Sequence, residues 1–259
     1  VTPDSFSDGG RNASTAAAIA HGLQLAAEGA DILDVGGEST RPGSDPVGLE
    51  EELSRTIGVV RALASEGHCV SIDTRKPAVM QQAAEAGAAI INDVSALAFD
   101  AGSLAMAAGL GKPVVIMHAQ GDPRTMQLDP RYDDAALDVF NYLEARVQAC
   151  TAAGLPAGRI CIDPGIGFGK TFRHNLEIMQ QISLYHGLGV AVLAGVSRKG
   201  VIGALTGEKL AINRAAGSVG GALYAALQGV HIVRVHDVRE TAAALAVASG
   251  MADPEATES

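Results

Sequence analysis

The chain has 259 residues, and its 29 Asp and Glu against 19 Lys and Arg leave a formal charge of −10; this excludes nucleic acid as a main partner, because phosphate binding needs clustered cations. The length matches the roughly 250 residues of a single (β/α)8 barrel, and 47% hydrophobic residues supply a sizeable core. Three cysteines without metal-ligand spacing, no apolar run near the ~18 residues of a membrane span, and a start (VTPDSFSDGG) without signal-peptide character point to a cytoplasmic protein with no membrane partner.

In chain order, the first segment is turn-rich, and the first helix, expected over 14–28 with Asn12 or Ser14 as its cap, has no strand before it. Residues 32–43, ILDVGGESTRPG, then form an apolar run that stops abruptly at Glu38, Ser39, Thr40 and Arg41. The same event recurs in HCVSIDTR (68–75), AAIINDVS (88–95), PVVIMHAQG (113–121), RICIDPGIGFG (159–169), VAVLAGVSRKG (190–200) and VHIVRVHD (230–237). Helices are expected over 49–65, 77–87, 102–108, 133–153, 174–186, 212–228 and 238–248, with Pro77 in a first turn where its missing N–H costs nothing. Apolar, β-branched runs that each end in a polar residue, with helices between them, describe parallel strands around a site at their carboxyl ends. The fold class is therefore α/β, a (β/α)8 TIM barrel lacking its first strand. Seven strands leave a seam of unpaired backbone groups, so a strand is expected ahead of Val1. An open doubly wound sheet is the alternative, but it would bind at one switch point instead of collecting polar residues from every strand. Residues 1–250 are expected to form one domain and 251–259 an acidic tail.

Ile232, Arg234 and His236 alternate with Val233 and Val235, so a strand period of two turns the first set toward the barrel axis or mouth. An anion suits the planar fork of Arg with a neighbouring His, and such barrels hold phosphate near strands 7 and 8. Ion pairs with Asp237 or Glu240 are the other reading. Asp73, Asn92 and Asp163 end three different strands; two carboxylates and an amide suit a flat heterocycle bearing several N–H groups, with a metal or three separate helix caps as alternatives. Lys199 is expected to point into the mouth, and Arg198, one residue out of phase, away from it; two solvated cations are the bland reading. PGIGFGKT nearly spells a phosphate loop, but Pro164 removes a backbone N–H that such a loop needs. Its glycines instead suggest close approach to a ligand, with Phe168 available to stack. Segments 2–10 and 38–43 read as lids or as ordinary surface loops, with Phe6, Arg41 and Pro42 placed to close over a ligand. His118 is a candidate base or a structural partner of Asp93 or Asp122. Asp34, in phase with Ile32, is expected to be buried and to need a partner.

Together VTPDSFSDGG, DVGGESTRPG, SIDTRKP, INDVSAL, MHAQGDPRTMQ, DPGIGFGK, GVSRKG and RVHDVRET resemble, in order and over nearly the whole chain, the dihydropteroate synthase family. The resemblance implies a (β/α)8 barrel that joins the pyrophosphate ester of 6-hydroxymethyl-7,8-dihydropterin to para-aminobenzoate in folate biosynthesis, with sulfonamides as inhibitors at the aminobenzoate place. It implies that Asp73, Asn92, Asp163 and Lys199 hold the pterin, with Met117, Phe168 and Gly195 lining its slot. Thr40, Arg41, Arg234 and His236 would hold the pyrophosphate, and Phe6, Pro42 and Ser197 would shape the aminobenzoate pocket. Arg41, Lys199, Arg234 and His236 are the expected catalytic group. Mg2+ on the pyrophosphate is implied as well, held in the family by an Asn just before the position of Val1, which leaves the metal ligands of this sequence unassigned. A homodimer is the implied assembly. Two rivals are a pterin-binding methyltransferase, which has no use for the pyrophosphate set, and a non-catalytic pterin or phosphate binding protein.

Overall fold

The structure, a computed structural model, describes residues 11–39, 44–121 and 125–253. Its elements alternate: α1 (Arg11–Ala27), β1 (Ile32–Gly36), α2 (Leu49–Ser65), β2 (Cys69–Asp73), α3 (Pro77–Glu85), β3 (Ile90–Asp93), α4 (Ser103–Leu110) and β4 (Val114–Met117) come first. They are followed by α5 (Ala135–Ala152), β5 (Ile160–Asp163), α6 (Phe172–Gln180), β6 (Ala191–Ala194), α7 (Gly200–Thr206), α8 (Ala215–Leu227), β7 (Ile232–Val233) and α9 (Val238–Ala252). The seven strands form one parallel sheet in the order β1 to β7, each paired with its neighbours in sequence. This is the TIM-barrel arrangement, in which every helix returns the chain to start the next strand on the same side.

Strand alternation divides the core in two. Val35, Ile72, Ile91, Ile116, Ile162 and Val192 face outward and pack with the helices in one continuous apolar layer. Val115, Cys161 and Leu193, with Ile90, Ala191 and Ile232 against them, fill the barrel interior. Val233 packs with the outer layer and Ile232 with the inner one, as the period of two requires.

Among the described residues β1 and β7 share no ladder hydrogen bonds. Side chains span that gap: Arg234, just past β7, reaches Asp34 of β1 at 2.7 Å, and Arg239 of α9 lies 3.9 Å from Glu28 after α1.

Four local expectations change. Helix α1 already includes Arg11, so Asn12 and Ser14 fall within its first turn and do not precede it as caps. The expected helix over 174–186 starts at Phe172, capped by Thr171, and passes after Gln180 into a 3-10 segment, Ile182–Leu188. Helix α7 was not expected at all; seven residues with two glycines carry too little periodic signal. At the other end α9 runs to Ala252, so residues 251 and 252 of the expected tail are helical.

Candidate active site

Parallel register places the polar strand ends side by side. Gly36 is level with Asp73, Asp73 with Asn92, and Met117 with Asp163, so consecutive strands deliver these residues to one rim. Asp34 accepts from Arg234 Nε at 2.7 Å and from Asn92 Nδ2 at 3.2 Å. Arg234 also lies 3.7 Å from Asp73. This answers both open questions about these residues. The partner that Asp34 needs is Arg234, and Arg234 pairs with Asp34 and Asp73, not with Asp237 or Glu240. Asp237 instead binds Arg198, at 3.1 Å from its Nε, and that turns Arg198 out of the mouth as expected.

The carboxylates are poorly solvated. Asp73 is pushed up to about 8, by burial first and then by the Asp34 carboxylate, with Arg234 opposing. Burial likewise raises Asp163, against the pull of Lys199 and of the Gly165 N–H, which donates to Asp163 Oδ1 at 2.7 Å. Lys199 is lowered to about 8 by burial, with Asp163 resisting. Such a rim offers acceptors to a guest with several N–H groups, and ionic donors to an anion beside it.

The loop after β5 completes one wall. Lys199 Nζ donates to Ile166 O at 2.6 Å and sits 4.8 Å from the centre of the Phe168 ring. The loop is no phosphate cradle: the Gly167 N–H is taken by Asn175 at 2.7 Å, and Lys170 is buried, bonded to carbonyls of its own loop. Positive φ at Gly165 and Gly169 is obligatory here, because a Cβ would come within 1.9 Å of His118 O and 2.4 Å of Gln120 O respectively. Gly195 is different: a Cβ there would make only ordinary contacts, with Lys199 Nζ and Arg234 Cβ each 3.7 Å away. On the far side Ser197 Oγ lies 3.0 Å from His236 Nδ1 and accepts from the His236 N–H at 3.2 Å.

Residues 1–236 match the pterin binding enzyme family. Over 248 residues the chain is 45% identical to the dihydropteroate synthase of Escherichia coli (strain K12), covering 95% of this chain and 87% of that one. It is 48% identical over 250 residues to that of Neisseria meningitidis serogroup C, covering 95% and 88%. The chain belongs to the dihydropteroate synthase family. Among solved members, the Xanthomonas albilineans dihydropteroate synthase with 4-aminobenzoic acid superimposes with a TM-score of 0.93 at 48% identity, over 98% of this chain and 90% of that one. The same enzyme in complex with 7,8-dihydropteroate gives a TM-score of 0.89 at 45% identity, over 98% and 91%.

In this member of the dihydropteroate synthase family the expected site residues Asp73, Asn92, Met117, Asp163, Phe168, Gly195, Ser197, Lys199, Arg234 and His236 all sit at or next to the strand ends. Phe6, Thr40, Arg41 and Pro42, like Asp122, lie outside the described residues. His118 is neither a base in the mouth nor a partner of Asp93. Its Nδ1 faces Lys170 Nζ at 2.8 Å, and burial, then the Lys170 charge, lowers it to about 3, while Asp93 accepts from Ser95. Sequence reasoning missed Lys170, hidden in what reads as an exposed GFGKT turn. It also missed a buried network at the stem of the 39–48 loop. There Glu38 accepts from Val47 N at 3.0 Å and Arg75 Nε at 3.3 Å and pairs with Lys76. Glu52 pairs with Lys76 and accepts from Thr74 Oγ1 at 2.5 Å.

Proposed function

We propose that this chain acts as a dihydropteroate synthase. It joins 6-hydroxymethyl-7,8-dihydropterin pyrophosphate to para-aminobenzoate and releases pyrophosphate, a C–N bond-forming transfer in folate biosynthesis. The observation that carries the reading is the convergence of Asp73, Asn92 and Asp163 with Lys199 and Arg234 on one rim. Carboxylates accept from the N–H groups of the pterin, and the cations lie beside the leaving group.

In this reading the exocyclic C–O bond breaks and its electron pair leaves with the pyrophosphate. A guanidinium carries five N–H donors; Asp34 and Asp73 engage Nε and one terminal nitrogen of Arg234, and the other terminal nitrogen serves the anion. His236, oriented by Ser197, is the second anion contact, and Arg41 the third. The positive charge on the methylene carbon spreads into the pterin ring, held by Asp163 and Lys199 and faced by Phe168. The aniline nitrogen then forms the new bond and loses a proton. Phe6, Pro42 and Ser197 bound its pocket, and Thr40 adds an anion contact. Sulfonamides compete at the aminobenzoate place.

Mg2+ on the pyrophosphate belongs to the reading, and when bound it would supply neutralising charge to the leaving group. Among the described residues no group of three or more His, Cys, Asp or Glu side chains comes together for a metal, and Asp34 and Asp73 are turned to Arg234. The described residues form no protein cage for the ion, and no step here runs through it.

The working form is a homodimer; exposed Leu205, Leu210, Ile212, Tyr224 and Leu227 along α7, α8 and the segment between them support this. The compartment is the cytoplasm, which suits three free cysteines. No helix among the described residues is long and apolar enough to cross a membrane.

The test is pyrophosphate release from the dihydropterin ester with Mg2+, with and without para-aminobenzoate. Aminobenzoate-dependent formation of dihydropteroate is expected, and Arg234→Ala should lower kcat/KM by about 100-fold or more. Pterin binding with neither release nor product would sink the assignment in favour of a binding protein or a methyltransferase.

A further inference from the structure

The loop between β5 and α6 is gripped by two ammonium groups that use different carbonyls. Lys170 Nζ donates to Gly165 O at 2.9 Å and Phe168 O at 3.0 Å, with His118 Nδ1 at 2.8 Å and His118 O at 3.3 Å completing its surroundings. The Lys170 residue is only 3% exposed, so no water replaces these partners. Between the two carbonyls that Lys170 holds is Ile166, whose carbonyl accepts from Lys199 Nζ at 2.6 Å. The ring of Phe168 lies against that same ammonium, 4.8 Å from its centre. Two further side chains steady the loop: Gln127 Nε2 donates to Gly167 O at 2.6 Å, and Tyr132 OH to Gly169 O at 2.8 Å.

A flexible, glycine-rich turn does not by itself hold a carbonyl and a ring in place, because glycine leaves the backbone many conformations. Four carbonyls spoken for by buried or half-buried donors remove that freedom. Lys170 contributes two of the four, and removing it would strip Phe168 O and His118 Nδ1 of this partner, while Gly165 O would keep only the Phe168 N–H at 3.1 Å.

We propose that Lys170 is a positioning residue of the pterin slot: by fixing the carbonyls of Gly165 and Phe168 from inside the protein, it sets the Ile166 carbonyl and the Phe168 ring against Lys199. This rests on the reading above, in which Lys199 and Phe168 face the pterin. Lys170 touches no substrate. Its effect therefore falls on pterin recognition and spares aminobenzoate.

The experiment compares wild type, Lys170→Met and Tyr132→Phe by steady-state kinetics for both substrates, calorimetric titration with 6-hydroxymethylpterin, and thermal unfolding. In Lys170→Met the KM for the pterin ester and the Kd for 6-hydroxymethylpterin should each rise about tenfold, with the KM for para-aminobenzoate within about twofold. Tyr132→Phe, which removes one bond to the same loop, should shift the pterin constants the same way by about threefold. A structural role alone would reduce the active fraction and kcat without splitting the two KM values. Unchanged pterin constants in folded Lys170→Met, or equal rises for both substrates, overturn the proposal. If Lys170→Met does not fold, Tyr132→Phe decides on the same criterion. Wild-type protein that binds 6-hydroxymethylpterin without turnover would count against the synthase reading, while the calorimetric comparison still decides the role of Lys170.

Discussion

Asp73 shows how a single side chain trades stability for a binding surface. In an unfolded chain an Asp titrates near about 3.9, whereas burial and the Asp34 carboxylate push Asp73 up to about 8 in the fold. Between those values the native state holds a proton that the unfolded state has released. The stability linked to Asp73 is therefore complete below about pH 4 and is lost as pH rises through about 8. Asp73→Asn removes a charge the fold disfavours, so the variant should melt about 2–6 °C above wild type at pH 8 and level with it near pH 4.5. The same change should weaken pterin binding about 10–100-fold, because an acceptor oxygen facing the pterin is replaced by an amide N–H donor. A variant melting below wild type at pH 8 would mean that Arg234 keeps Asp73 ionised. Residues of this kind were legible in the sequence because Asp73, Asn92 and Asp163 each end an apolar, β-branched run, which places them at the carboxyl ends of the strands. The partner of Asp34 was not, since Arg234 lies 200 residues further on and reaches it only across the gap between β1 and β7. Lys170 was not legible either: nothing local distinguishes a lysine folded back under its own loop from one in solvent.

Helix α2 carries the clearest energetic argument among the elements. Its face toward the barrel includes Val59, Val60 and Leu63, all nearly inaccessible, yet also Glu52, which is fully buried. Glu52 meets Lys76 and Thr74, and through Lys76 it joins Glu38, tying the helix to the loops after β1 and β2. Burial alone would raise Glu38, but the Val47 N–H, Arg75 and Lys76 together hold it below the ordinary carboxylate range. Removing one partner from such a cluster strands the others, so Glu52→Ala should cost about 3–5 kcal/mol in urea unfolding. Glu51→Ala, one residue away, half-exposed and paired with Arg55 one turn along, should stay within about 0.5 kcal/mol. Equal effects would show that burial does not govern these pairs. At this scale the sequence was most readable where the periodic pattern is long: the helix expected over 49–65 forms over just those residues, and the one expected over 133–153 forms over Ala135–Ala152, with Asp134, inside the expected range, serving as its cap. It was least readable in α7, where tertiary packing, not periodic pattern, stabilises a short helix.

For the molecule as a whole, the barrel exposes several large apolar side chains on the side of α7 and α8. Leu205, Leu210, Ile212 and Leu227 are between 59% and 67% exposed, and Tyr224 lies one turn before Leu227 on α8. Isolated exposed leucines need no explanation, but five large apolar side chains within 23 residues of chain are the reason this side is proposed as the face between two copies. In a βα unit the helix runs back toward the start of the next strand, so Leu227, at the end of α8, stands at the opposite end of the barrel from the catalytic mouth. Changing that end of α8 should separate assembly from chemistry. The double substitution Tyr224→Glu with Leu227→Lys places an acidic residue one turn ahead of a basic one, which preserves the helix while ruining an apolar contact. Light scattering behind size exclusion should find wild-type protein at twice the chain mass and the double variant at the chain mass, with aminobenzoate-dependent turnover per chain within about threefold. Wild-type protein running as a monomer, or a variant that remains dimeric, would remove this face as the interface.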